Sequence, residues 1–192
     1  MHMQNKIQGT WKKAKELIKG FFTGVTGKTG GSPLEARPIK ERHMIFDSGR
    51  FKGVVYGGPY IQRPLGIVGV KMAEEIKKPC DVDIPTRDFD VPNVDKFKTG
   101  LVLGILYLKT RGELYVGCMG GIGRTGLYMA GLAKVMEELH TIDATKVLVK
   151  DAPLCVGYVR EQYLSHAVET KQQIAWIEAL DVRDIVAAVK NF

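Results

Sequence analysis

A strand, a glycine-rich loop and a helix are expected to follow one another directly in the second half of the chain. Residues 113–118 (ELYVGC) are short and mostly apolar, as in a buried strand. Residues 127–140 (LYMAGLAKVMEELH) have the apolar spacing and the composition of a helix. The turn between them, MGGIGRTG, contains four glycines. A strand that passes through so short a turn into a helix is typical of layered α/β domains.

The remaining patterns extend this α/β alternation. Residues 44–58 predict two short strands around Ser48-Gly49, and 66–72 predict a buried strand. The acidic, proline-containing segment 81–93 is expected to be mostly loop. Helices are predicted at 94–112, from Asp143 through Val149, at 170–180 and at 182–192. The expected fold is a central, mostly parallel twisted sheet flanked by helices.

The positive charge of the chain is concentrated in its N-terminal quarter. Residues 1–50 hold ten Lys and Arg against four Asp and Glu, and so carry +6 of the net +7. We expect residues 1–41 to form a basic N-terminal helix and a Gly/Thr-rich linker, and residues 42–192 to form the main domain. The body is nearly neutral, which disfavours a whole-protein nucleic-acid interface. The basic helix either packs on the domain or contacts an anionic surface peripherally.

The cysteine and histidine patterns bear on compartment and metal content. Three cysteines without a CxxC pair, Cys80, Cys118 and Cys155, indicate neither a disulfide framework nor a zinc knuckle. A reducing, cytoplasmic location is therefore expected. The four histidines are isolated, so no metal site is expected. No apolar run is long enough for a membrane span.

The loop that begins at Cys118 carries the chemistry. Its glycines let the backbone curl so that several N–H groups point inward at the start of a helix, which makes an anion site. The same amides stabilise a thiolate, so Cys118 is expected to be a nucleophile. Arg124 supplies a planar cation that can grip two phosphate oxygens. This combination indicates phosphoryl transfer to sulfur, with no metal or other cofactor required.

The sequence CMGGIGRTG (118–126) resembles the phosphate-binding loop of the cysteine-dependent protein tyrosine and dual-specificity phosphatases. The resemblance implies a compact domain of the dual-specificity type. It implies catalytic roles for Cys118, Arg124 and Thr125, whose hydroxyl would bond the sulfur. It also implies phosphate binding by the loop itself, namely Met119, Gly120, Gly121, Ile122, Gly123 and Arg124.

A second resemblance lies upstream of the cysteine. The segment IPTRDFDVPN (84–93) is similar to the loop that carries the general acid in that family, and it places the acid at Asp88. A leaving oxygen needs a proton as its bond to phosphorus breaks, and a carboxylic acid on a loop can supply it. Asp90 is the nearest alternative, and Asp81 and Asp83 also stay open.

A third resemblance covers AVETKQQIAWI (167–177), where the family carries a glutamine that positions the hydrolytic water. That place falls on Glu169 here, with Gln173 and Gln172 as substitutes. An ordinary start of an amphipathic helix explains the same residues. The chain departs from the family at Gly117, where a histidine is usual. A loop without lysine also makes a phosphoinositide substrate less fitting.

Three functions follow from these residues. The first is a phosphatase acting on phosphotyrosine in proteins, extending to phosphoserine and phosphothreonine, through a phosphocysteine intermediate. The second applies the same chemistry to nucleic acid, as an RNA 5′-phosphatase or triphosphatase, which the basic N-terminal segment leaves open. The third is a catalytically weak phosphate-binding module, for which Gly117 is the hint.

Overall fold

The structure is a computed structural model, and it describes residues 43–47, 52–140, 142, 147–148 and 152–190. The predicted boundary between 1–41 and 42–192, and the predicted N-terminal helix and linker, lie outside the described residues. Within them, no helix has both the length and the apolar character needed to span a membrane.

Within the residues that the structure describes, a five-stranded sheet organises the fold. Its strands are β1 (His43–Asp47), β2 (Lys52–Pro59), β3 (Gly69–Ala73), β4 (Val82–Thr86) and β5 (Glu113–Cys118). They lie in the order β1-β2-β5-β3-β4. Among these described strands, only β1 runs antiparallel to its neighbour, and the other three pairings are parallel. The predicted α/β class with a mostly parallel sheet is therefore confirmed.

Five helices lie within the described residues. They are α1 (Val94–Arg111), α2 (Gly123–Glu138), α3 (Leu154–Gln162), α4 (Lys171–Ala179) and α5 (Arg183–Val189), and a 3₁₀ turn spans Tyr60–Gln62. The Asn93 side chain caps α1, and Gly112 ends it at a φ of 77°. Of these five described helices, α2 is the most enclosed, because it runs from the end of the central strand β5 between the sheet and the other helices.

Both α1 and α2 pack on the same face of the sheet. Leu108 of α1 lies beside Gly53, and Met129 of α2 lies beside Gly57, four residues further along β2. Residues an even number apart in a strand point to the same face. On the opposite face, Tyr60 and Tyr115 pack edge to face, and both are fully buried.

Three sequence expectations differ from the structure. Residues 82–86 form the edge strand β4, where a loop was expected, because Val82, Ile84 and Thr86 alternate inward and are buried. The helix α3 was not predicted. Of the helix predicted from Asp143 through Val149 only residues 147–148 are described, and these are not helical. The Leu148 N–H there bonds the Glu161 carboxylate instead of a helix carbonyl.

Candidate active site

The candidate site lies where the carboxyl ends of the parallel strands meet. β5 ends at Cys118, β4 ends two residues before Asp88, and β3 ends two residues before Glu75. Parallel strands bring their carboxyl ends to one edge of the sheet, where α/β proteins place their ligands. Three chain segments far apart in sequence therefore converge on one place.

The cysteine loop, residues 118–124, is fixed by close packing. Gly121 has a φ of 74°, and a Cβ there would lie only 2.4 Å from the carbonyl carbon of Gly58. Both features require glycine. The Gly121 carbonyl also accepts a hydrogen bond from the hydroxyl of Tyr163, which is itself buried. The loop is thus held between the end of β2 and the end of α3.

Cys118 lies at the bottom of this loop. Only 3% of the residue is exposed, and its Sγ accepts hydrogen bonds from the Gly121 N–H and from the Thr125 hydroxyl, both at 3.2 Å. Hydrogen bonds from two donors stabilise negative charge on a sulfur atom. This is what sulfur needs both to attack an electrophile and to leave again. The structure thus places the Thr125 hydroxyl in direct contact with the sulfur of Cys118.

Arg124 is the most deeply buried charge of the site, with 2% of the residue exposed. Its Nη1 and Nη2 donate to the two oxygens of the Glu75 carboxylate at 2.9 and 2.7 Å. Nη1 also donates to the Thr86 carbonyl at 2.8 Å, and Nη2 lies 3.0 Å from the Asp88 carboxylate. Burial alone would lower the pKa of Arg124, but the hydrogen bond to Glu75 and the charges of Cys118, Glu75 and Asp88 raise it overall.

One donor of Arg124 is left over. In the part of the chain that the structure describes, its Nε is the one buried side-chain N or O atom with no hydrogen-bond partner. A buried N–H without an acceptor is costly and is rare in folded proteins. An acceptor oxygen bound beside this donor would remove that cost.

Glu75 is a site residue that sequence reasoning missed. Its side chain, 35% exposed, holds the Arg124 guanidinium in a two-pronged ion pair. This geometry fixes the plane of the guanidinium. The available signal was its position just after the buried strand predicted at 66–72, at the carboxyl end where sites collect.

The carboxylates proposed as the acid separate by position. Asp88 has a 60% exposed side chain and faces Arg124. The Asp90 carboxylate turns away, since it accepts from the Val91 N–H at 2.8 Å and from Gln172 at 3.3 Å. Asp81 and Asp83 belong to the opposite end of β4, where they pair with Arg63 and Lys71. Of the four, Asp88 is the one that the described contacts bring to the loop.

The two glutamines predicted for water positioning both contact the segment that carries Asp88. Gln173 is fully buried, its Nε2 donates to the Asp90 carbonyl at 3.2 Å, and its Oε1 accepts from backbone amides of its own segment. Gln172 is exposed and donates to the Asp90 carboxylate. Glu169 instead lies against the loop, because a Cβ at Gly123 would come 2.2 Å from its Oε2.

Gly117 is explained by packing. It pairs with Gly58 across the sheet, and a Cβ at Gly117 would lie 2.7 Å from the Tyr60 Cα and 2.9 Å from the Gly58 carbonyl oxygen. The chain that leaves β2 therefore fills the space that a side chain would need. A histidine here would require that backbone to move, while the Thr125 and Gly121 donors still reach Cys118.

The remaining loop residues differ in exposure. Met119 is 52% exposed at the rim and Gly120 is exposed, whereas Gly121 and Gly123 are buried and Ile122 is half-buried. No group of three or more His, Cys, Asp or Glu side chains that could hold a metal ion occurs within the described ranges.

Comparison with known proteins gives weak matches. No protein-family model and no curated protein matches the chain. Among solved structures, it is similar to Tk-PTP in its active form, with 20% identity, 68% of this chain and 91% of that chain covered, and a TM-score of 0.48. A glycine-to-alanine mutant form of Tk-PTP shares 17% identity, with 79% and 98% covered and a TM-score of 0.47. The Trypanosoma cruzi protein tyrosine phosphatase TcPTP1 shares 14% identity, with 80% and 77% covered and a TM-score of 0.44.

The ion pair between Glu75 and Arg124 predicts a pH-dependent stability. The hydrogen bond from Arg124 holds the pKa of Glu75 below its ordinary value. The pair therefore adds stability above the ordinary carboxyl pKa of about 4.3. That stability is lost as the pH falls through the folded-state pKa. Glu75→Gln is expected to lower the melting temperature at pH 7, by a margin that narrows below about pH 4.

Glu74→Gln is the matched control for this measurement. Glu74 is the adjacent residue, and its carboxylate lies 3.5 Å from Arg87, whose side chain is 79% exposed. Such a surface pair adds little to stability, so the melting temperature of this variant should stay close to that of the wild type at every pH. Melting curves of Glu75→Gln that coincide with the wild type at pH 7 would contradict the role assigned to Glu75.

Proposed function

We propose that this chain is a cysteine-dependent phosphatase of the protein tyrosine and dual-specificity type. It hydrolyses phosphomonoesters, chiefly phosphotyrosine in proteins and also phosphoserine and phosphothreonine, through a phosphocysteine intermediate. The observation that carries the proposal is the geometry at Cys118. Two donors meet its sulfur at 3.2 Å, within a loop whose arginine keeps a buried, unpartnered Nε.

The first chemical step transfers the phosphoryl group to sulfur. The Cys118 thiolate attacks phosphorus in line with the leaving oxygen, so that a P–S bond forms as the P–O bond breaks. Arg124 and the loop amides stabilise the charge on the other phosphate oxygens. Asp88 gives its proton to the leaving oxygen, which departs as a phenol or an alcohol.

The second step releases phosphate and restores the enzyme. Water attacks the phosphocysteine, and the Asp88 carboxylate takes the proton of the water. The P–S bond breaks, and the Thr125 hydroxyl stabilises the Cys118 thiolate as it leaves. Inorganic phosphate is the product. The thiolate of Cys118, the guanidinium of Arg124, the loop amides and the carboxyl of Asp88 are the groups that these two steps use.

The assignment of the acid predicts different outcomes for the two neighbouring aspartates. Asp88→Asn is expected to lower kcat for an aryl phosphate with a poor leaving group by about 10²- to 10⁴-fold. Asp90→Asn is the matched control, because the Asp90 carboxylate faces Val91 and Gln172. It should lower kcat much less. Steady-state kinetics decide the assignment, and a larger loss at Asp90 than at Asp88 reverses it.

Hydrolysis of para-nitrophenyl phosphate tests the class of activity. We expect turnover that vanadate inhibits and EDTA does not, because vanadate mimics the transferred phosphoryl group and the mechanism uses side chains alone. A purified chain that binds phosphate without turnover would instead be a binding module. Comparison of phosphotyrosine peptides with triphosphorylated RNA then identifies the substrate class, and we expect faster turnover of the peptides.

A further inference from the structure

Gln173 joins two segments of the site that lie far apart in sequence. It is the third residue of α4, and its side chain is fully buried. Its Oε1 accepts hydrogen bonds from the N–H groups of Glu169 and Thr170, at 3.1 and 3.4 Å. Its Nε2 donates to the carbonyl of Asp90 at 3.2 Å. One amide therefore connects the start of α4 to the segment that carries Asp88.

The other contacts of that segment show why this connection matters. Asp88 and Phe89 are both exposed, and the Phe89 backbone has a φ of 58°, which is unusual outside glycine. Most of the hydrogen bonds within the segment are local, from Asp90 to Arg87 and from backbone amides to adjacent aspartates. Local bonds of this kind define a turn but do not attach it to the domain.

Two attachments flank Asp88. On the amino-terminal side, Arg124 binds the Thr86 carbonyl at 2.8 Å. On the carboxyl-terminal side, the buried Gln173 binds the Asp90 carbonyl, and Gln172 adds an exposed contact to the Asp90 side chain. The orientation of the Asp88 carboxylate therefore depends on both attachments, together with its own ion pair to the Arg124 Nη2 at 3.0 Å. Arg124 already belongs to the phosphate site, whereas the mechanism above gives Gln173 no role.

Gln173 also lies close to the cysteine loop. A Cβ at Gly123 would come 3.3 Å from the Gln173 Oε1 and 2.2 Å from the Glu169 carboxylate. The same Oε1 accepts a hydrogen bond from the backbone N–H of Glu169. The side chain thus spans from the first residue of α2 to the turn of Asp90. Because both ends of its amide are occupied by backbone groups, it is placed to hold two segments in register.

We propose that Gln173 is a positioning residue for the general acid, and that it sets the place of Asp88 relative to the cysteine loop. This inference rests on the proposed function, since it assigns Gln173 to one step of that reaction. It predicts that loss of the bond to Asp90 impairs proton donation to the leaving group. Attack by Cys118 and phosphate binding by Arg124 should be retained.

The test compares two substrates that differ in their need for a proton. Phenyl phosphate has a basic leaving group and requires the acid, whereas dinitrophenyl phosphate has a stable leaving anion and does not. The measured quantity is kcat/KM for phenyl phosphate divided by kcat/KM for dinitrophenyl phosphate. Both values come from one enzyme sample, so this leaving-group ratio does not depend on the fraction of protein that is folded.

Gln173→Glu is the most informative variant. A carboxylate keeps acceptor oxygens for the amides of Glu169 and Thr170, and glutamate serves at this position of a capping box as glutamine does. In its ionised form it cannot donate to the Asp90 carbonyl, and Gln173→Met lacks a donor in any protonation state. We expect the leaving-group ratio to fall by about tenfold or more, through the phenyl phosphate value. Gln173→Met keeps a side chain of similar length but removes the hydrogen bonds of both Oε1 and Nε2. This variant should lower the ratio as well.

Thr170→Ala is the matched control. The Thr170 hydroxyl accepts from the Gln173 N–H at 3.0 Å and caps the same helix, but it has no bond to Asp90 among the described contacts. This variant weakens the start of α4 and should leave the leaving-group ratio at the wild-type value. An equal fall in the ratio for Thr170→Ala would assign the effect to helix stability and overturn the proposal.

Combination with Asp88→Asn separates the inference from the proposed function. If Gln173 acts through Asp88, the double variant should have the leaving-group ratio of Asp88→Asn alone. If Asp88→Asn lowers the ratio and both Gln173 variants leave it unchanged, the role of Gln173 is overturned while the assignment of the acid stands. If Asp88→Asn leaves the ratio unchanged, Asp88 is not the acid, and both assignments are overturned.

Discussion

Replacement of Cys118 by serine is expected to abolish phosphatase turnover, with a loss of at least about 10⁴-fold in kcat. Serine keeps the size of the side chain and can still accept the hydrogen bonds of Gly121 and Thr125. Its hydroxyl does not ionise as a thiol does, so no nucleophile forms. Phosphate or vanadate should still bind, because the loop amides and Arg124 remain. Initial rates and isothermal titration calorimetry measure the two properties separately.

Cys80→Ser provides the matched control for this result. Burial raises the pKa of the Cys80 thiol, and burial raises that of Cys155 to about 11. Neither is then a nucleophile near neutral pH. Cys80→Ser should turn over close to the wild-type rate. A Cys118→Ser enzyme that retains a tenth of the wild-type rate would show that another group attacks phosphorus.

Replacement of Arg124 by lysine is expected to produce the second large loss, on the order of 10²- to 10³-fold in kcat or more. Lysine keeps the positive charge but loses the planar fork, and with it the paired bonds to Glu75 and the buried Nε that has no partner. The bond to the Thr86 carbonyl is lost too, so the segment that carries Asp88 loses its amino-terminal attachment. Steady-state kinetics should show a fall in kcat together with weaker inhibition by vanadate.

Arg63→Lys is the control that separates the loss of phosphoryl binding from the loss of a structural guanidinium network. Like Arg124, Arg63 pairs with a carboxylate, that of Asp81, and donates to a carbonyl, that of Ile67; it also donates to the Tyr60 hydroxyl, and each distance is 2.8 Å. Arg63→Lys should lower stability but leave kcat within a few-fold of the wild type. If Arg124→Lys affects stability alone and kcat is retained, then Arg124 is a structural residue and does not bind the phosphoryl group.

The local parts of the site could be predicted from the sequence because their chemistry is contained in a short segment. Cys118, Arg124 and Thr125 lie within eight consecutive residues, and the strand-to-helix turn dictates which way that segment curls. The order of β5, the loop and α2 follows from the same segment, although α2 begins at Gly123, inside the predicted loop. Backbone curvature and the spacing of three side chains were enough here.

The long-range parts of the site could not be predicted in this way. Glu75 lies 49 residues before Arg124, and Gln173 lies 83 residues after Asp90, so their contacts depend on strand order and helix placement. The helix α3 was missed because Gly157 and its valines are poor helix formers, and packing of Val156 and Val159 in the core determines its structure. In β4, Pro85 and the neighbouring acidic residues favoured a loop over a strand. The residues nevertheless alternate between buried and more exposed positions, and an edge strand of a sheet tolerates the proline.

Detection of a phosphoryl group on the sulfur of Cys118 tests the account most directly. The Asp88→Asn variant should complete the first step with dinitrophenyl phosphate, because this leaving group needs no acid. Its phosphocysteine intermediate should then accumulate, because hydrolysis of the intermediate needs the base. After rapid quenching, peptide mass spectrometry should find the phosphoryl group on Cys118. Release of dinitrophenol with the phosphoryl group on another residue, or with none on the protein at any time, would contradict the account.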